Sequence, residues 1–372
     1  MYMHLRQALL ATALALTACA GVARQPVQPA PTALPNQPQS EQPAPVQTGA
    51  QQMPDSGSYA PISPFEMQKR LGRGVNFGNA LEAPTEGEWG FRIEDYFFPI
   101  IRQAGFDTVR VPIRWSAHAL RESPYTIDPA FFERIDWVIE QALNNDLNVV
   151  INVHHYEELF ENPNAEWDRF LALWDQIATR YRDLPPTVLF EVLNEPHGAL
   201  TTRVWSVLFD DALRVIRRTN PTRNVIFTGA NWGKASSLFT IQPPNDPYII
   251  ATFHFYEPEV FTHQGANWVQ GSADWIGTRW EGTDAQRAAI DRTFNAVARW
   301  SKDKNLPVWM GEFGAYGLHA DLEDRARWTA YVARAAEARG ITWAYWEFGH
   351  GFGIYNPATQ TWLEPLLKAL IP

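Results

Sequence analysis

The sequence predicts an α/β fold, namely a single (β/α)8 (TIM) barrel that occupies residues 61–372. Short runs rich in β-branched and aromatic residues alternate with longer stretches of helical period. Eight such runs fall within roughly 300 residues, one about every 35 to 40 residues, as expected for eight strand–helix units. Unusual polar residues follow nearly every run, and this fold places its functional side chains where the strands end.

The elements can be assigned in chain order. A short helix over residues 65–71 precedes the first strand. The candidate strands cover residues 73–77, 108–113, 148–153, 188–193, 224–228, 248–253, 308–310 and 342–346. Amphipathic patterns predict helices over residues 129–144, 166–181, 202–218, 284–302 and 322–339.

The residues before the barrel have the pattern of an export signal. The first seven residues carry one arginine and no acid, and residues 8–16 are an apolar run too short to span a bilayer. The following Leu16-Thr17-Ala18-Cys19 resembles a bacterial lipobox. This resemblance implies removal of residues 1–18, lipid attachment to Cys19, and a protein anchored at the bacterial cell surface. An ordinary secretory signal is the alternative.

Residues 19–60 are predicted to form the lipidated start and a disordered tether. Eight of the 28 prolines fall between Pro26 and Pro54, and Glu41 is the only charged residue between Gln25 and Pro54. Such a segment has too little apolar surface to form a core. The tether would hold the barrel away from a membrane, and the barrel would be secreted if the tether were cut.

Composition limits the partners. The net charge of −10 argues against nucleic acids and anionic membrane surfaces. Sixteen tryptophans favour carbohydrate binding, although most of them are expected to pack in the core. Cys19 is the only cysteine, so no disulfide forms within the chain. We expect a monomer whose only contact with a membrane is the anchor.

Two glutamates dominate the polar residues at the predicted strand ends. Glu195, in Asn194-Glu195-Pro196, follows the fourth strand, and Glu312, in Gly311-Glu312-Phe313, follows the seventh. A retaining glycoside hydrolase needs such a pair, in which one carboxyl group donates a proton and the other attacks the sugar. This chemistry needs no metal and no cofactor, and it predicts carboxyl groups about 5–5.5 Å apart.

Further candidates surround this pair. Arg110 and Tyr256 are predicted to keep Glu312 ionised by hydrogen bonding, and Asn194 is positioned to contact the sugar 2-hydroxyl. His154 and His155 do not suggest a metal site, because adjacent strand residues point to opposite faces and no ligand set is completed nearby. Contacts with sugar hydroxyls are the expected role of His154.

Several separate motifs occur in one order and resemble glycoside hydrolase family 5 over about residues 65–372. They are Gly74-Val-Asn-Phe-Gly-Asn-Ala-Leu-Glu82, Arg110-Val-Pro-Ile-Arg-Trp115, Val153-His-His-Tyr156, Leu193-Asn-Glu-Pro196, His254-Phe-Tyr256, Gly311-Glu-Phe313 and Trp343-Ala-Tyr-Trp-Glu-Phe348. The chain is similar in particular to bacterial endoglucanases that also accept mannan. The region 348–352 departs from the pattern, and its His350 has no expected role.

The resemblance implies that Glu195 is the acid/base and Glu312 the nucleophile. It also implies that matching positions lie in the active site: Arg110, His154, Asn194, His254, Tyr256 and Trp346. In the closer subgroup the cleft-lining positions correspond to Asn79, Glu82, His155, His263, Trp268 and Glu347. Glu82 and Glu347 could instead have structural roles, and His263 and Trp268 could instead pack within their loop.

The expected activity is a retaining endo-β-1,4-glycanase that acts on a polysaccharide, most simply β-1,4-glucan or mixed-linkage β-glucan. Mannan, glucomannan and xyloglucan are alternative substrates for the same mechanism. A surface lipoprotein that binds glycans without cleaving them and a metal-dependent hydrolase on the same barrel are the rivals from other classes.

Overall fold

The computed structural model describes residues 59–372, which form a closed barrel of eight parallel strands. The strands are β1 Arg73–Asn76, β2 Thr108–Val111, β3 Asn148–Asn152, β4 Val188–Glu191, β5 Val225–Thr228, β6 Ile249–Phe255, β7 Val308–Phe313 and β8 Thr342–Tyr345. Each strand pairs with the next along the chain, and β8 pairs with β1. The predicted (β/α)8 barrel is confirmed. The predictions for the signal segment, Cys19 and most of the tether lie outside the described residues.

Helices separate the strands of the barrel except β5 and β6, which are joined through a short 3-10 helix at Ala235–Phe239. The α-helices are α1 Pro64–Leu71, α2 Phe97–Ala104, α3 Pro129–Asn144, α4 Glu157–Glu161, α5 Pro163–Arg180, α6 Thr202–Arg217, α7 Glu259–Thr262, α8 Asp284–Lys304, α9 Leu322–Glu337 and α10 Glu364–Leu370. A short hairpin, β9 Tyr355–Asn356 and β10 Thr361–Trp362, precedes α10. Helix α5 begins at Pro163 rather than at the predicted residue 166, because the Asn162 side chain caps it and proline suits the first turn.

The barrel interior is apolar at one end and polar at the other. Strands β3 to β8 each contribute one residue to an inner cluster, which Ile62 and the α1 residues Met67 and Leu71 complete: Val150, Leu189, Ile226, Ile250, Trp309 and Ala344. Side chains fill a barrel of eight strands, so this cluster is a packed core and not a pore. In β3, β4 and β6 the next residues on the same face are Asn152, Glu191 and Thr252. A buried polar layer therefore lies directly below the functional end.

The pairing of β6 with β7 contains a bulge at Gly311. Phe253 pairs with Met310 and His254 pairs with Glu312, so Gly311 is the extra residue. β7 runs to Phe313, three residues past its predicted end at Met310, because Glu312 and Phe313 continue the pairing with β6 beyond the bulge. A bulge changes the direction in which neighbouring side chains point, and bulges are common beside active sites. Here it sets the direction of Glu312.

Within residues 59–372, no helix combines the length and the apolar character needed to cross a membrane.

Candidate active site

Glu195 and Glu312 converge at the carboxyl end of the barrel. Glu195 follows β4, and Glu312 lies near the end of β7. One carboxylate oxygen of each and a ring nitrogen of His254 all lie within 4.8 Å of one another. This spacing is close to the 5–5.5 Å of retaining glycosidases and far from the roughly 6.5–9.5 Å of inverting ones. The pair can therefore act on two sides of one bond without a water molecule between nucleophile and sugar.

The Glu312 carboxylate is buried and held ionised. Arg110 Nη1 donates to its Oε1 at 2.6 Å, and the Tyr256 hydroxyl donates to its Oε2 at 2.8 Å. Burial by itself would raise the pKa of Glu312, but His254, Arg110 and the hydrogen bond from Tyr256 lower it below its ordinary value. Both predicted hydrogen bonds are present. A buried carboxylate without a proton is the form that a nucleophile requires.

Glu195 is the more accessible carboxyl group of the two. Its side chain is 25% exposed, against 5% for Glu312, so only Glu195 can readily exchange a proton with water. The Nδ1 atom of His254 lies 2.6 Å from Glu195 Oε1. Burial would lower the pKa of His254, but the charges of Glu312 and Glu195 raise it above its ordinary value. His254 therefore links the two carboxyl groups electrostatically.

Arg110 organises the polar layer from the end of β2. It is fully buried, and its Nε and Nη2 donate to the two oxygens of Glu191 at 2.6 and 2.9 Å. Its Nη1 donates to Glu312 and, at 2.8 Å, to Asn76 Oδ1. Nη2 also donates to Asn194 Oδ1 at 2.6 Å. All five N–H groups of the guanidinium are thus engaged, which fixes Glu312 and Asn194 relative to each other.

Glu191 is a central residue of this network that the sequence analysis missed. A signal for it exists, because Glu191 is the single charged residue in the otherwise apolar stretch 188–193. A buried carboxylate needs a buried cation or several donors. Arg110, which stands among apolar residues in β2, is the matching charge.

His154 and His155 lie on the β3 side of the site with their rings perpendicular, 4.8 Å apart. The Asn152 amide donates to His154 Nδ1 at 3.1 Å, and the His154 ring stacks on Trp346 at 5.6 Å. Burial lowers the pKa of His154 and lowers that of His155 to about 4. Both rings are neutral near pH 7 and suited to hydrogen bonding with hydroxyl groups. Trp89 contacts His155 edge to face at 5.7 Å.

Within residues 59–372, one group of three side chains has metal-ligand spacing, and it is Glu195, His254 and Glu312. His154 and His155 are not part of it. Arg110 already neutralises Glu312, and this cation would compete with a metal ion for the same carboxylate. The donor set therefore fits acid–base and nucleophilic chemistry better than metal binding.

Glu82 and Glu347 are buried near the mouth and turn toward backbone. Glu82 accepts hydrogen bonds from the N–H groups of Asn79 and Ala80, and Glu347 accepts them from three N–H groups of residues 349–352. Burial raises the pKa of each to about 8, against the effect of those bonds. Neither carboxyl group faces solvent in this conformation. Their contacts agree with the loop-holding role that the sequence left open, and contact with substrate stays a prediction.

Two of the remaining predicted residues, His263 and Trp268, lie in the loop after β6. The His263 ring lies 5.0 Å from that of Tyr256, and burial lowers the pKa of His263 to about 4. The side chain of Trp268 is 58% exposed and contacts Tyr316 edge to face. Trp268 is thus accessible to a ligand. Asn79 lies beside the β1 loop in a left-handed conformation with φ of 65°.

On the β5 side, Trp232 stacks on His197 at 4.8 Å and is 47% exposed. The Nδ1 atom of His197 lies 2.6 Å from the backbone oxygen of Glu195. The sequence analysis assigned no role to Trp232 or to His197. His197 packs against one face of Trp232 next to Glu195, and the other face of this half-exposed ring suits stacking on a sugar ring.

The family model of cellulase (glycosyl hydrolase family 5) matches residues 72–351. This chain belongs to glycosyl hydrolase family 5. The family 5 match includes both strands that carry the glutamate pair, and the solved structures below agree with it.

Among solved structures, endoglucanase Cel5A from the hyperthermophilic Thermotoga maritima is 51% identical, with a TM-score of 0.82. The match covers 83% of this chain and 100% of that chain. The cellulose synthase subunit Z (CcsZ) from Clostridioides difficile is 38% identical, with a TM-score of 0.79, over 81% of this chain and 100% of that one.

Among curated family 5 relatives, Endoglucanase H of Acetivibrio thermocellus is 38% identical over 323 residues. Those residues cover 85% of this chain and 34% of Endoglucanase H. Cellulase/esterase CelE of the same organism is 28% identical, over 83% of this chain and 40% of CelE. The chain therefore spans well under half the length of these two relatives.

Proposed function

We propose that this chain is a retaining endo-β-1,4-glycanase whose preferred substrate is β-1,4-glucan, as in cellulose or mixed-linkage β-glucan. One observation carries the proposal: a buried, ionised Glu312 lies within 4.8 Å of the more exposed Glu195. The names of its relatives, among them endoglucanase Cel5A and Endoglucanase H, support glucan as the polymer.

The proposed reaction has two steps. Glu312 attacks the anomeric carbon while Glu195 gives its proton to the departing glycosidic oxygen, which leaves a glycosyl ester on Glu312. A water molecule then loses a proton to Glu195 and attacks the same carbon, which frees the Glu312 carboxylate. Two inversions give net retention. Asn194, fixed by Arg110, is directed at the sugar 2-hydroxyl, and Trp346 lies under the reacting sugar.

Mannan, glucomannan and xyloglucan remain competing substrates for the same mechanism. The similar Thermotoga maritima Cel5A has been crystallised with mannotriose and with cellobiose. Glucose and mannose differ only in the configuration at carbon 2, so a site that contacts this hydroxyl loosely accepts both. The preference between glucan and mannan therefore depends on the contact that the site makes with this hydroxyl.

The test is release of reducing sugar from carboxymethylcellulose, barley β-glucan, glucomannan, mannan and xyloglucan, with Glu312→Ala as the blank. We expect the highest rate on one of the two glucans. A highest rate on mannan would overturn the glucan preference and leave the mechanism standing. Binding without any product on every polymer would favour the rival glycan-binding lipoprotein.

Chelation tests the rival hypothesis of a metal-dependent hydrolase. We expect EDTA to leave the rate on β-glucan unchanged, because Arg110 and Tyr256 already stabilise Glu312. The measurement compares initial rates before and after dialysis against EDTA. A loss of activity that added divalent metal restores would contradict the metal-free mechanism.

Tyr256→Phe is expected to move the acidic limb of the pH–rate profile to higher pH. Glu312 must be ionised, so activity is lost as the pH falls through its pKa, and removing the hydroxyl that stabilises the charged form raises that pKa. At neutral pH we expect roughly a 10-fold loss in kcat/KM, the cost of about 1.5 kcal/mol for one hydrogen bond to a charged group. The measurement is kcat/KM from acidic to neutral pH. Tyr316→Phe is the matched control and should leave the acidic limb of the profile in place. An unmoved acidic limb in Tyr256→Phe would contradict the role of Tyr256 in keeping Glu312 ionised.

We also propose that Cys19 carries a lipid, that residues 19–60 form the tether, and that the exported, monomeric enzyme is held at the bacterial cell surface. The lipobox-like Leu16-Thr17-Ala18-Cys19 and the proline-rich segment support this. In a bacterial host, the chain should enter the membrane fraction and incorporate labelled palmitate. Cys19→Ala should do neither, and equal labelling of both would overturn the proposal.

A further inference from the structure

Two buried polar atoms below the active site lack a hydrogen-bond partner within residues 59–372. They are the Thr252 hydroxyl and His254 Nε2, and both residues are at most 2% exposed. Thr252 and His254 are two residues apart on β6, so their side chains leave the strand on the same face. A buried polar group without a hydrogen-bond partner destabilises the folded state. Because the two atoms lie on one face of one strand, each is a candidate hydrogen-bond partner for the other.

The bulge at Gly311 brings the two atoms to one place. A Cβ atom at Gly311 would lie 2.9 Å from Thr252 Oγ1 and 3.2 Å from His254 Nε2. Both polar atoms thus face the same glycine, and any larger side chain there would press against both. The two atoms form no hydrogen bond in this conformation, and a direct one requires a small rotation of the Thr252 side chain.

The chemistry of Glu195 determines what His254 Nε2 must do. His254 Nδ1 lies 2.6 Å from Glu195 Oε1. When the proton that Glu195 will donate is on Oε1, Nδ1 accepts it, and the ring hydrogen is on Nε2. When the proton has moved to Nδ1, Nε2 still carries its own hydrogen. In both states Nε2 is a buried donor that needs an acceptor.

We propose that Thr252 is a positioning residue for the acid/base: its hydroxyl accepts the hydrogen of His254 Nε2 over Gly311 and so fixes the tautomer in which Nδ1 faces Glu195. The inference rests on the proposed function, with Glu195 as the proton donor. Apart from atoms of His254 itself, the Thr252 hydroxyl is the polar atom nearest to the position that a Cβ atom at Gly311 would occupy. Without that acceptor, the neutral ring favours the tautomer with its hydrogen on Nδ1. Nδ1 then donates to Glu195, and this hydrogen bond favours the deprotonated carboxylate, which has no proton to give to the leaving group.

The test replaces the hydroxyl with a methyl group in Thr252→Val and measures kcat/KM on two aryl β-cellobiosides. Phenyl cellobioside has a poor leaving group that needs the proton of Glu195, whereas dinitrophenyl cellobioside leaves without one. We expect roughly a 10-fold loss on the phenyl substrate, part of the 10²–10⁴-fold that a positioned acid supplies, and less than about a 2-fold loss on the dinitrophenyl substrate. Equal losses on both substrates, or no loss on either, would overturn the proposal.

Three further measurements make the test specific. Thr252→Ser keeps the hydroxyl and should restore most of the rate on the phenyl substrate. Thr329→Val is the matched control. Thr329 is also buried, and its hydroxyl also lacks a partner within residues 59–372, but it lies on α9. This variant should leave the ratio of the two rates unchanged. If Thr252→Val does not fold, Thr252→Ala is measured with the same two substrates.

The wild-type protein separates failure of this inference from failure of the proposed function. A wild-type chain that cleaves neither cellobioside would count against the proposed function. A wild-type chain that cleaves both with retention, beside a Thr252→Val variant of unchanged rate ratio, would count against Thr252 alone.

Discussion

Glu312→Ala is expected to reduce kcat/KM on β-glucan by on the order of 10⁴–10⁶-fold, the range that loss of an enzymic nucleophile costs. Without Glu312 no glycosyl ester can form, and Glu195 alone can only protonate the leaving oxygen. The variant should still fold, because Arg110 keeps both oxygens of Glu191 and the side chains of Asn76 and Asn194 as partners. The measurements are rates on β-glucan and the thermal unfolding midpoint.

Glu195→Ala is the informative companion, because it should lose a different step. Its activity on β-glucan should also nearly vanish, but dinitrophenyl cellobioside should still form the ester on Glu312. That ester would then accumulate, and added azide should release it as a β-glycosyl azide. In Glu312→Ala azide could yield only the α product, so the two variants are distinguishable. Substantial activity of Glu312→Ala on β-glucan would show that the nucleophile is another residue.

Arg110→Met is expected to lower the free energy of unfolding by about 3–5 kcal/mol and to abolish activity. The variant leaves Glu191 and Glu312 buried without their cation, and a buried unpaired charge costs more than the pair ever contributed. Protonation relieves that cost, since the pKa of an unpaired buried carboxyl group is raised above its unfolded value. The stability deficit relative to the wild type should therefore be smallest at acidic pH and grow as the pH rises.

The same substitution at an exposed ion pair is the control. Arg70 and Glu66 form an i,i+4 pair on α1, with 52% and 55% of their side chains exposed. Arg70→Met should cost only about 0.3–0.5 kcal/mol, because water already solvates both charges. Urea unfolding of both variants at several pH values makes the comparison. Equal costs for Arg70→Met and Arg110→Met would contradict the role of Arg110 as the buried counter-charge.

Local patterns in the sequence were sufficient to predict the barrel fold and to identify most central residues of the active site. Runs such as Val188–Leu193 identify buried strands because the helices cover the outer face of the barrel and packed side chains fill its interior. Polar residues directly after such runs come together at one end because parallel strands share a direction. Glu195, Glu312, Arg110 and Tyr256 lie where this reasoning placed them, and two of the predicted hydrogen bonds are present.

Contacts between residues far apart in the chain could not be predicted from these local patterns. Glu191 pairs with Arg110 across 81 residues, and this pairing depends on which strand faces which inside the closed barrel. The bulge at Gly311 depends on the register between β6 and β7 and is invisible in either strand by itself. Glu82 and Glu347 turn inward because loops after β1 and β8 present free N–H groups to them.

The sequence by itself therefore determined the number of strands, the end of the barrel that carries the chemistry, and the glutamate pair, since periodicity and burial are properties of neighbouring residues. Only the tertiary structure decided how that pair is tuned: which carboxyl group is buried, which cation neutralises it, and which hydroxyl faces His254. Hydrogen bonds and charges act over a few ångströms, so their strength depends on distances that only the folded chain sets.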